Sequence, residues 1–173
     1  VVKDENDCSV SQTFTLTSPT ALSLTANKKN YNGFNVSCNS SSDGEIDISV
    51  SGGYLDPNTV YTYSWSTTNG GGNLISNSED QIGLKAGIYT VVATDTNGCT
   101  ITQDIQITEP DALGISETIS DYNGFQISEA GENDGSIDIT VSGGTSNYSY
   151  QWSTLDGSGY SANSEDQTSL TAG

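Results

Sequence analysis

Residues Asn30–Gly53 read NYNGFNVSCNSSSDGEIDISVSGG, and Asp121–Gly144 read DYNGFQISEAGENDGSIDITVSGG, the same pattern displaced by 91 positions. Inside the first copy, Glu45–Val50 (E-I-D-I-S-V) alternates apolar with polar side chains. A period of two puts Ile46, Ile48 and Val50 on the inner face of a strand and Asp47 and Ser49 on the outer one. Gly52-Gly53 ends that strand. A strand pattern recurring at a fixed period marks a repeated β unit, so the repeat is read before any residue is given a role.

The match extends in both directions. CSVSQTFTLTSPTALSL from Cys8 returns as CTITQDIQITEPDALGI from Cys99, again 91 apart. Beyond the double glycine the second copy is shorter: YTYSW ending at Trp65 pairs with YSYQW ending at Trp152, NSED at Asn77 with NSED at Asn163, and LKAG ending at Gly87 with LTAG ending at Gly173. The length differences fall in 54–60 and 67–75, which are expected to be surface loops. Pro19 and Pro110 are equivalent and mark junctions. Three parts follow: 1–19, the last strands of a truncated repeat; 20–110, one complete repeat of about 90 residues; and 111–173, the first part of a third that lacks its last strands. Val1 aligns with Val92 and Gly173 with Gly87, a phase that predicts a fragment of a longer array cut within its units.

Within 20–110 strands are expected at Ala21–Ala26, at Phe34–Ser37 as a continuation or successor, and at Glu45–Val50, Val60–Ser66, Ile88–Thr94 and Thr100–Ile107. The D-T-N-G turn at Asp95–Gly98 joins the last two as a hairpin. No helical period occurs anywhere. The fold class is all-β: tandem immunoglobulin-like antiparallel β-sandwich repeats. Trp65 and its counterpart Trp152 are expected as core indoles. Tyr89, after Leu84-Lys-Ala-Gly, is expected to form a tyrosine corner, its hydroxyl tying the crossover to the next strand.

Composition narrows the function. Of 173 residues 22 are Asp or Glu and 4 are Lys, with no Arg, His or Met, for a net charge of −18. Nucleic-acid binding needs clustered cations to neutralise phosphate, so it is excluded as a partner class. The charge also opposes attraction to anionic lipid, and no apolar run is long enough for membrane insertion. Strong acidity with few aliphatic residues suits an extracellular chain that stays soluble. No enzyme is expected. Glu79-Asp80 and Glu165-Asp166 are paired carboxylates of the kind glycosidases use, but they recur with the repeat, which fits a structural loop better than a catalytic site.

The ordered series C-x(4)-D-G-x-I-x-I-x-V-S-G-G, Y-x-Y-x-W, L-x-A-G-x-Y-x-V, D-x-N-G-C and I-T-E-P-x-A-L resembles the SprB repeat of Bacteroidetes surface proteins. It is carried here by Cys38, Asp43-Gly44, Ser51–Gly53, Tyr61–Trp65, Leu84–Val91, Asp95–Cys99 and Ile107–Leu113. Glu129 stands in the third part where Cys38 would align. The resemblance implies very long adhesins at the bacterial cell surface, exported by type IX secretion and in some cases moved by the gliding-motility machinery. The chain is accordingly expected to be a stalk segment of such an adhesin. The alternative is a carbohydrate-binding adhesive module acting by avidity across repeats. Expected partners are neighbouring repeats of the same chain and surface polysaccharide, with the secretion and motility machinery reached through other regions.

Few residues could carry chemistry. Three cysteines in an exported β protein point to a disulfide, with Cys38–Cys99 the candidate; closing 61 positions would contribute roughly 4 kcal/mol. Against it, an immunoglobulin topology puts these two at opposite poles. Cys8–Cys38, bridges between neighbouring units and free thiols therefore stay open. No cofactor is expected; calcium is the one candidate ion, with Asp4–Asp7, Asp95–Asn97, Glu109, Asp111 and Asp134 offering oxygens in turns that also need Asp and Asn for backbone reasons. Tyr54, Tyr148 and Tyr160, in variable loops, are the candidate glycan contacts. Asn35, Asn39 and Asn147 fit N-x-S/T.

Overall fold

A computed structural model describes the whole chain, Val1–Gly173. It contains no helix and eleven strands: β1 (Val2–Lys3), β2 (Ser9–Val10), β3 (Thr20–Lys28), β4 (Gly44–Gly53), β5 (Thr62–Thr67), β6 (Gln81–Leu84), β7 (Gly87–Thr94), β8 (Thr100–Ile107), β9 (Gly114–Ile119), β10 (Gly135–Ser142) and β11 (Gln167–Leu170). The protein is all-β, and every strand pairing is antiparallel.

Residues 20–110 build two three-stranded sheets, ordered β3-β4-β6 and β5-β7-β8. Their apolar faces meet in one core. Ile46, Ile48 and Leu84 come from the first sheet, Trp65, Tyr89, Val91, Ile105 and Ile107 from the second, and Val36 from the loop between β3 and β4. The alternation read at Glu45–Val50 is the reason: Ile46 and Ile48 are buried while Asp47 and Ser49 are exposed. The strand order accords with an immunoglobulin-type sandwich without the fourth strand of its first sheet.

Three details depart from expectation. Phe34–Ser37 is not a strand. Asn32 and Gly33, both at positive φ, fold the chain back so that Tyr31 pairs with Phe34, and the N–H groups of Asn35 and Val36 donate to Thr108 O instead of a ladder. β6 is a strand that the sequence reading missed. Finally, 67–75 is no free loop: Gly72 bridges to Leu84, Leu74 packs on the core, and the buried Gln81 side chain bonds both the N–H and the C=O of Ile75 at 2.8 Å.

The flanking parts repeat pieces of this plan. β9, β10 and β11 form one three-stranded sheet, the counterpart of β3-β4-β6. Its neighbour Tyr148–Trp152 is not a strand, because the β5 sequence pairs only with β7 and nothing after Leu170 plays that part. At the other end, β1 and β2 pair as the tip of the β7–β8 hairpin does, and residues 11–19 are extended and exposed. Of all the buried residues only Gly135, Ile139 and Gln167 lie outside 20–110.

Candidate functional site

The acidic side chains that could have held calcium or moved protons are bonded to the backbone. Asp95, buried at the pole where Thr20 begins β3, accepts from Asn97 N and Cys99 N on Oδ1 and from Tyr54 N on Oδ2. Those bonds, that from Tyr54 foremost, hold its carboxyl below the usual carboxylate range. Asp4 builds the same turn in the β1–β2 hairpin, accepting from Asn6 N and Cys8 N at 2.9 Å, with no sandwich around it. Asp43 and Asp134 take the N–H groups of Ser37 and Ser128, and both are shifted down by those serines.

The Glu-Asp pairs are equally occupied. Asp80 accepts from Ile48 N at 2.9 Å and Asp166 from Ile139 N at 3.0 Å, each pinning a loop to the middle of the neighbouring strand. Glu79 accepts the Tyr63 hydroxyl at 2.9 Å, and burial together with that carboxylate pushes the phenol well above its ordinary range. No three Cys, Asp or Glu gather where they could hold a metal ion.

The tyrosine candidates do not converge. Tyr54 is exposed at the Asp95 pole beside Asp56, which raises its hydroxyl. Tyr148 is a structural residue: its hydroxyl donates to Gly143 O, as that of its counterpart Tyr61 donates to Gly52 O. Tyr160 takes the place of Leu74 and lines an apolar groove. Only Tyr54 remains a loop side chain with an unassigned exposed face. Asn35, one of the N-x-S positions, is buried, its amide donating to Lys29 O.

Trp65 and Tyr89 lie in the core. The indole N–H of Trp65 donates to Ser78 O at 2.8 Å. The Tyr89 hydroxyl sits 2.7 Å from both Lys85 O and Gly71 O and accepts from Gly71 N, so one buried phenol ties the β6–β7 crossover to the glycine loop. Trp152 makes the same bond, to Ser164 O, but is only half-buried.

All three thiols are free and exposed, which corrects the Cys38–Cys99 pairing. Cys38 lies in the turn where Asn39 Nδ2 donates to Pro110 O, beyond the end of β8, and Cys99 in the turn before its start. Eight strand residues separate these poles, roughly 26 Å, whereas a disulfide needs Cα atoms within about 7 Å.

The largest concavity was not foreseen. It is a groove of about 800 Å³ in 111–173 lined by Phe125, Ile127, Ile137, Trp152, Leu170 and others. Their counterparts Val36, Ile46, Trp65 and Leu84 are buried under β7 and β8 in the central part. The repeat offsets carry that signal: the residues completing the core in one copy have no partners in the other.

The family model of the SprB repeat matches residues 34–70 and 130–157. The chain thus carries this repeat twice, and the two matches end at equivalent glycines, Gly70 and Gly157, each donating its N–H to a threonine hydroxyl three residues earlier. No curated protein and no solved structure matches the chain.

Proposed function

We propose that this chain is a stalk segment of a large bacterial cell-surface adhesin, of the kind exported by type IX secretion and used in gliding motility. The observation that carries it is the twofold SprB repeat together with a central part, Thr20–Pro110, that closes around its own core. In this reading, each unit is a spacer. The chain enters it at one pole and leaves at the other, so repetition adds length, and the charge of −18 keeps neighbouring stalks apart. Pro19 and Pro110 stiffen the steps between units. A non-enzymatic role fits the occupied carboxylates.

The carbohydrate-binding alternative has lost two of its three tyrosines to structural duties, and we place it second. Scattering tests the spacer: chains carrying one, two and three additional copies of Thr20–Pro110 should lengthen by a constant step of roughly 30 Å or more, the length of a nine-residue strand. A maximum dimension that stays level, or grows only as the square root of copy number, would refute a stiff stalk.

A further inference from the structure

Residues 1–19 and 111–173 are complementary pieces of one unit. The third part runs to Gly173, the counterpart of Gly87, and residues 1–19 correspond to Val92–Pro110, so together they lack only counterparts of Ile88–Val91. The groove and the segment fit the same plan. In the central part, Ile105 and Ile107 of β8 are buried in the core, and a Cβ on Gly44 would stand 3.2 Å from both Ile107 and Val36. Phe14 and Leu16 hold the equivalent positions in residues 1–19, 77% and 96% exposed. Thr108 accepts the N–H groups of Asn35 and Val36, while Gln126 and Ile127 have no such acceptor and Thr17 is the counterpart of Thr108.

We infer that in the 173-residue chain the groove of the third part is filled by residues 1–19 of a second copy, joining molecules head to tail. Leu16 then packs against Ile127 and Gly135, Phe14 enters beneath Trp152, and Thr17 O accepts the Gln126 and Ile127 amides. The added strand supplies main-chain bonds and its alternate side chains supply specificity, as in other strand-addition complexes. A second copy is the occupant because Pro19 is bonded directly to Thr20. A molecule filling its own groove would have to bring the far end of its third part onto the start of its central part. With a second copy, the Pro19–Thr20 step repeats Pro110–Asp111. The contact is heterologous, so it propagates into open chains.

Sedimentation of the intact chain should give masses that rise with concentration through whole multiples of 18.1 kDa. Phe14→Asp with Leu16→Asp, at residues exposed in the single molecule, should abolish assembly, as should Ile127→Asp in the groove. An equimolar mixture of the two monomeric variants should form dimers and nothing longer, because only one groove and one segment remain competent. A wild-type chain that stays monomeric at its highest soluble concentration would overturn the inference. So would assembly that survives Phe14→Asp and Leu16→Asp, or a variant mixture that does not dimerise while the double variant keeps the wild-type circular dichroism.

Discussion

Asp95 illustrates how a strongly acidic chain uses its acid. Oδ1 organises the four-residue turn locally, as Asp4 does in an isolated hairpin, whereas Oδ2 reaches the Tyr54 amide 41 positions away and closes the pole. Its folded-state pKa is depressed, as are those of Asp43 and Asp134. A depressed carboxylate stabilises the fold above its unfolded pKa of about 3.9, and that contribution is lost as pH falls through the lower folded value. Thermal melts should therefore be level above about pH 5 and fall steeply below about pH 4. Asp95→Asn should melt lower at neutral pH and lose less on acidification; an unchanged acid limb would show that its bonds contribute nothing. Tyr89→Phe removes a buried hydroxyl that serves three backbone groups, and urea titration should find a loss of about 1–3 kcal/mol. None of these bonds was legible in the sequence, because each joins a turn carboxylate or phenol to an amide or carbonyl whose neighbourhood only the tertiary fold defines. The Tyr148 duty was legible, since the repeat aligns it with Tyr61.

At the level of the element, alternation was sufficient where it was long. Thr100–Ile107 is a strand over the expected residues, and the other long patterns moved by a few residues at their ends. Short segments misled. Gln81–Leu84 has only four residues and is interrupted by Gly83 at φ +70°, so no period of two is visible there. Phe34–Ser37 has the right residues, but the Asn-Gly turn before it aims its amides at Thr108. The two tryptophans test how much a second sheet matters. Trp65→Ala should cost about 3–5 kcal/mol as a buried aromatic truncation, and Trp152→Ala distinctly less, because one face of its indole is open. Equal losses by denaturant unfolding would mean that Trp152 is as enclosed as Trp65.

Across the whole molecule, chain direction sets what the cysteines can reach. Cys38 lies beside the exit at Pro110 and Cys99 at the opposite pole, so oxidation should yield no Cys38–Cys99 peptide in a non-reducing mass map; such a peptide would mean that the poles are wrongly placed. The same geometry bears on function. A unit whose chain enters and leaves at opposite poles, whose acids are bonded inward and whose loop tyrosines mostly brace the backbone is built for reach, and Tyr54 is the exposed exception. Retention of the intact chain on a panel of surface polysaccharides and glass, with calcium and with chelator, separates spacer from binder. The spacer account predicts no saturable retention and no difference between wild type and Tyr54→Ala; saturable retention that Tyr54→Ala abolishes would contradict it and make the repeat itself the adhesive element.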